Sequence, residues 1–229
     1  MNRIIKIGLG VIAPVILSWV LASGCFHSKA EKTEVPTVVI DPAELLAANI
    51  FNKHVVDSAV SLLQSGYIVV RMGLGADSKL LAALNSRDKT FSHCGIVMME
   101  NGYPFVYHSI GGEDNPDERL RRDSAHFFFS PLRNTEIGIS HYAFDTGDIN
   151  ELRRVVTDYY KIRPRFDMKF DLQTDDKLYC SEFIYKAVNK AMKDTGYIKT
   201  SARMTGRFVG IDDIFTNEHA NIIWQIKFK

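Results

Sequence analysis

Three residues of this sequence have the types and spacing for nucleophilic chemistry: Cys180, His93 and His108. Cys180 sits in Leu178-Tyr179-Cys180-Ser181-Glu182-Phe183-Ile184-Tyr185-Lys186-Ala187-Val188. Phe183, Ile184, Ala187, Val188, Ala191 and Met192 recur at helical spacing and mark one buried face. The cysteine falls in the first turn, where unpaired amides and the helix dipole stabilise negative charge. A thiol there is shifted toward thiolate, the form that attacks carbonyl carbon. The alternative for position 180 is a small apolar core cysteine.

A thiol nucleophile needs a base. Histidines stand in Phe91-Ser92-His93-Cys94-Gly95-Ile96-Val97 and in Phe105-Val106-Tyr107-His108-Ser109, two strand-like runs flanking Glu100-Asn101-Gly102-Tyr103. Asn-Gly favours a two-residue hairpin turn, which pairs residue 100 with 103 and so sets 93 opposite 110. His108 then shares a face with His93 at diagonal reach. A three-residue loop would put the two on opposite faces. The expected roles follow: His93 takes the Cys180 proton and returns it to the leaving group, His108 fixes the His93 tautomer, and the Cys180 amide donates to the oxyanion. Cys94 points away from His93, which argues against a Cys94–Cys180 disulfide if Cys180 meets His93. His93, His108 and Cys180 are also a ligand set zinc accepts. With no CxxC or HExxH spacing, neither metal nor cofactor is expected. His27, His54, His126, His141 and His219 read as tether, helix, strand, strand and chain-end residues without a catalytic role.

These side chains need a scaffold. Asp41-Pro42-Ala43-Glu44 opens a helix to about residue 64, and residues 67–71 are strand-like. One short helix is expected at 78–85, then the hairpin of 91–99 and 104–110, and a polar loop at 111–122. Further strands are expected at 124–129 and 136–144, and a capped helix from Asp148 to about residue 162, before Pro164. The cysteine helix closes near Gly196. This order predicts an α+β fold with a mostly antiparallel sheet packed against helices and the nucleophile at a helix N-terminus.

The N-terminus reads as an export signal. Arg3 and Lys6 precede an apolar run over 7–21, too short for a span of roughly 20 residues, which ends in Leu21-Ala22-Ser23-Gly24-Cys25. That ending resembles a bacterial lipoprotein signal in which Cys25 is acylated; the leucine stands one position further out than usual. The expected organisation is a signal over 1–25, a polar tether over 26–37 and one domain over 38–229, anchored to a membrane through lipidated Cys25 in the bacterial cell envelope. An ordinary cleaved signal peptide is the alternative. Without Arg3 and Lys6, the 28 basic residues fall to 26 against 27 acidic. That balance, with no basic patch, excludes an electrostatic case for nucleic acid. Residues 119–122, Arg-Leu-Arg-Arg, read as a solvated loop or strand edge.

The blocks GYIVVR (66–71), FSHCGIV (91–97), RPRFDMKFD (163–171) and LYCSEFIYKA (178–187) resemble the YiiX-like, circularly permuted papain-fold amidases. That group is related to NlpC-type cell-wall peptidases and lecithin retinol acyltransferase-like proteins. The resemblance covers roughly residues 64–190, with histidine before cysteine as in the permuted branch. It implies a circularly permuted papain-like fold, Cys180 as nucleophile, His93 as base and His108 at the orienting position. It sets Tyr179, Phe166 and Asp167 beside the oxyanion or substrate. Three positions depart from the pattern: Tyr67 replaces an aspartate, His108 stands where this branch often has glutamate, and Phe166 replaces the tyrosine of a Tyr-Asp pair. The implied function is a cell-envelope thiol amidase or peptidase working through an acyl-enzyme, with cell-wall peptides as its candidate substrate. An acyl-lipid esterase or acyltransferase with the same residues is one alternative, and an inactive envelope binding module is another.

Overall fold

A computed structural model describes residues 41–112, 115–203 and 206–229; the expected signal and tether, with Cys25, lie outside them. Its framework is a six-stranded antiparallel sheet in the order β4-β3-β2-β1-β5-β8, made of β1 (Ile68–Gly73), β2 (His93–Glu100), β3 (Tyr103–His108), β4 (Arg121–Ser124), β5 (Asn134–Tyr142) and β8 (Ala220–Lys227). A small hairpin, β6 (Ser201–Arg203) with β7 (Gly206–Phe208), forms a separate ladder. The helices are α1 (Pro42–Ser61), α2 (Ala76–Ala83), α3 (Ala125–Phe128), α4 (Thr146–Ile162), α5 (Cys180–Met192) and α6 (Ile211–Phe215). The expected α+β architecture with an antiparallel sheet is therefore present.

The β2–β3 hairpin forms in the expected register. Asn101 and Gly102 adopt φ of 50° and 83°, a conformation few residues tolerate, and Glu100 pairs with Tyr103. Strand alternation then sorts side chains onto two faces. Val70, Cys94, Ile96 and Met98 pack with Leu152 and Val155 of α4 and Phe183, Ile184 and Ala187 of α5. Val69, Val97, Val106, Ile137 and Ile139 pack with Val55, Val56 and Ala59 of α1 and Phe128 of α3.

The structure revises several boundaries. The expected strand at 124–129 is not one: Ser124 ends β4 and Ala125–Phe128 form α3. Ser124 caps α3 by accepting from the Phe127 amide, and the three phenylalanines divide at helical spacing: Phe128 and Phe129 are 2% and 0% exposed and Phe127 is 40% exposed. His126 accordingly lies in a helix. Part of the expected loop at 111–122 is edge strand β4. Helix α4 starts at Thr146, because Asp145 accepts from the Asp148 amide at 2.8 Å while the Asp148 carboxylate accepts from the Asp145 amide at 3.1 Å. Helix α5 ends at Lys193 in the left-handed region (φ 53°), three residues before Gly196.

Candidate active site

Cys180 opens α5, whose apolar face lies on β2. The residues before it are fixed from both sides. Ser109, just past β3, donates its hydroxyl to the Leu178 carbonyl at 2.5 Å, and the Tyr179 amide donates to Glu182 Oε2 at 3.1 Å. The Tyr179 hydroxyl accepts from the Val209 amide at 3.0 Å, and its ring stacks on Phe208 with centroids 5.3 Å apart. The β2–β3 ladder ends at the Ile96–Tyr107 pair; beyond it, the N–H of Cys94 reaches the Cys180 sulfur. A hydrogen bond from the Cys94 thiol lowers the Cys180 pKa; burial opposes this and the Ser181 amide adds to it. Burial pushes the Cys94 thiol well up, and the Cys180 charge adds to that. Both thiols are free.

The histidines form a second buried cluster on the opposite face. His93 Nε2 lies 2.8 Å from His108 Nδ1, and His108 Nε2 lies 3.0 Å from Asp123 Oδ2. Arg121 donates to the other Asp123 oxygen at 2.8 Å. A carboxylate accepts, so His108 carries its proton on Nε2 and presents Nδ1 as a lone pair; His93 must then donate from Nε2 and keep Nδ1 unprotonated. Gly95 lies on this face, where a Cβ would come within 2.4 Å of Val106 and 3.3 Å of the His108 Cβ. A side chain there would collide with β3 beside His108. Burial, then the positive charges of Arg71 and His108, hold the His93 pKa well below the ordinary range. Burial also lowers His108, with Asp123 opposing. Burial disfavours the Asp123 charge, but hydrogen bonds from His108 and Arg121 outweigh it and leave that carboxyl below the ordinary range.

The structure thus brings two of the three expected residues together and leaves the third apart. His93 and His108 share a face and bond each other. Cys180 meets Cys94, and among the described residues no hydrogen bond joins Cys180 to His93 or His108. The reason lies in the pleat: α5 docks on the apolar face of β2, with Cys94, Ile96 and Met98, while Phe128 covers the histidine face, its ring centroid 5.7 Å from His93 and 5.3 Å from His108. The remaining expected residues do not touch the thiol by hydrogen bond. Phe166 is buried against Phe170. Asp167 organises its loop by accepting from the Lys169 and Asp171 amides at 2.9 and 2.6 Å.

Two participants escaped the sequence reading. Asp123 falls between the expected loop at 111–122 and the expected strand at 124–129, so the sequence does not place it on the His108 face; alternation along Arg121-Arg122-Asp123 does so once β4 is known to be a strand. Cys94 was set aside because it points away from His93, the observation that in fact carries it to Cys180.

Beside Tyr179 lies a groove of about 750 Å³, walled by Phe170, Tyr185 and Phe208 with Lys169 and Arg207 among its lining residues. No protein-family model matches the chain, and no curated protein matches it. Among solved structures, it is similar to the crystal structure of metalloprotein yiiX from Escherichia coli O157:H7, DUF1105, at 15% identity and a TM-score of 0.59, over 72% of this chain and 98% of that one. What this likeness shows is that the chain shares the fold of yiiX.

Proposed function

We propose that this chain is a cysteine-dependent amidohydrolase of the bacterial cell envelope, with Cys180 as nucleophile and His93 as base. One observation carries the reading: a thiol at a helix start, lowered toward thiolate by its contact with Cys94, which is the neighbour along β2 of a histidine held in a single tautomer by a His108–Asp123 pair. His93 Nδ1 has no hydrogen-bond partner among the described residues and is the atom that would receive the thiol proton. Because the thiol rests on Cys94 and His93 lies on the other face of β2, transfer requires the open end of the strand, beyond the last β2–β3 pair at Ile96–Tyr107, to rearrange and bring the two side chains together. The sulfur then attacks the amide carbon, protonated His93 gives its proton to the leaving nitrogen, and water releases the acyl group from the thioester.

The groove favours a peptide substrate over an acyl lipid. Its aromatic wall suits apolar side chains, and the three cations of its lining, Lys169, Lys186 and Arg207, suit carboxylates, whereas a fatty chain needs an unbroken apolar surface. The structural neighbour is described as a metalloprotein. The donor set here does not fit a metal, since among the described residues no three His, Cys, Asp or Glu side chains are placed to hold one, and in the His93–His108–Asp123 cluster both His108 nitrogens are engaged. No step is routed through one.

Incubating the protein with muropeptides and, separately, with phospholipid vesicles, then reading products by mass spectrometry, tests the substrate class. Peptide fragments that vanish with Cys180→Ser support the amidase; free fatty acid with intact muropeptides would overturn it. Anchoring is tested by the mass of the mature N-terminus, which should carry diacylglycerol on Cys25.

A further inference from the structure

The contact between Cys94 and Cys180 has chemistry of its own. The two thiols come from β2 and from the first turn of the helix packed on it, and both belong to the apolar layer between sheet and α5. They differ in access: Cys94 is 0% exposed, while Cys180 is only partly buried. They differ also in readiness. The Cys180 thiol is lowered toward thiolate by its neighbour, and the Cys94 thiol is kept protonated by burial.

We propose that Cys94 and Cys180 form a reversible oxidation site for hydroperoxides, in which Cys180 reacts first and Cys94 closes a disulfide onto it. The Cys180 thiolate attacks the terminal oxygen of ROOH; an S–O bond forms, the O–O bond breaks, and RO⁻ leaves to take a proton as ROH. Sulfur loses two electrons and the peroxide gains them. The Cys94 sulfur then attacks the Cys180 sulfur of the sulfenic acid. The S–S bond forms, the S–O bond breaks, and hydroxide leaves with the Cys94 proton as water. A small thiol reductant restores both cysteines. Burial suits Cys94 to this resolving role, because with no exposed surface it is shielded from oxidants in solution while the partly exposed Cys180 is not. The disulfide requires only a reactive Cys180; its masking of the nucleophile rests in addition on the hydrolase reading above.

The test treats the full-length protein with hydrogen peroxide and maps its cysteines by mass spectrometry under non-reducing conditions. The wild type should yield a linked 94–180 peptide that dithiothreitol reverses. In Cys94→Ala, and in Cys94→Val should the smaller residue unfold the core, Cys180 should instead be trapped by dimedone and go on to sulfinic acid. In Cys180→Ser, Cys94 should stay unmodified. Sulfinic acid on Cys180 forming equally in wild type and both Cys94 variants, without linkage, would overturn the proposal. So would Cys94 oxidising as fast in Cys180→Ser as in wild type. A protein that forms the linkage but cleaves no amide refutes the hydrolase alone; one that cleaves amides and never links refutes the oxidation site alone.

Discussion

Glu182→Gln isolates the electrostatic cost of building the cysteine helix. Glu182 is completely buried in the first turn of α5, two residues after Cys180. Its Oε2 accepts from the Tyr179 amide at 3.1 Å, and its Oε1 lies 2.8 Å from Lys186 Nζ. Burial pushes its carboxyl from near 4.5 up to about 7, against the attraction of Lys186. A rise of about 2.5 pH units at ~1.36 kcal/mol each is at most about 3 kcal/mol. The folded value lies above the unfolded one, so the folded chain holds this proton more tightly. The associated stability is complete below pH 4.5 and is lost as pH rises through about 7. Glutamine keeps the cap acceptor and does not titrate. Relative to wild type, the variant should therefore gain up to about 3 kcal/mol of unfolding free energy between pH 4.5 and pH 8, less whatever the Lys186 pair returns. His93 and His108 act in the opposite sense, their stability being present above pH 6.5 and lost below it, but they are common to both proteins and cancel in the difference. Urea titrations at a series of pH values measure it. A difference independent of pH, or one that falls with pH, would refute the reasoning.

Three further outcomes are expected. Asp123→Asn removes the charge that supports protonated His108, so the His108 ring should titrate at lower pH by NMR, with a stability loss of about 1–3 kcal/mol in denaturant. Phe183→Ala empties a fully buried site between α5 and Tyr159 and should lower stability by about 3–5 kcal/mol, read from chemical denaturation. Cys94→Ala deletes the hydrogen bond that lowers the Cys180 thiol, so the pH midpoint of Cys180 alkylation by iodoacetamide should move upward.

Features set by local chemistry were legible in the sequence. Asn101-Gly102 fixed the hairpin register, and that register placed His108 diagonally from His93 without any knowledge of the rest of the fold. The apolar spacing of 183–192 gave α5 and the position of Cys180 at its start. What failed depended on partners far along the chain. Phe127-Phe128-Phe129 has the composition of a strand, and only the space above the two histidines draws Phe128 into a helical turn. Strand β8 carries exposed Ile222 and Ile223 and owes its existence to pairing with β5 rather than to its own pattern. Alternation correctly separated Cys94 from His93, but the sequence held no information on which face α5 would cover. It covers the apolar one, and so the nucleophile rests on a thiol.

The central claim is that Cys180 is the nucleophile and His93 its base. It is tested most directly by the rate at which an amide-directed electrophilic probe acylates the protein, followed by peptide mapping, in wild type, Cys180→Ser and His93→Ala. The account predicts label on Cys180 in wild type, none in Cys180→Ser, and a rate reduced by about 10²–10⁴-fold in His93→Ala. Equal labelling of all three proteins would contradict it.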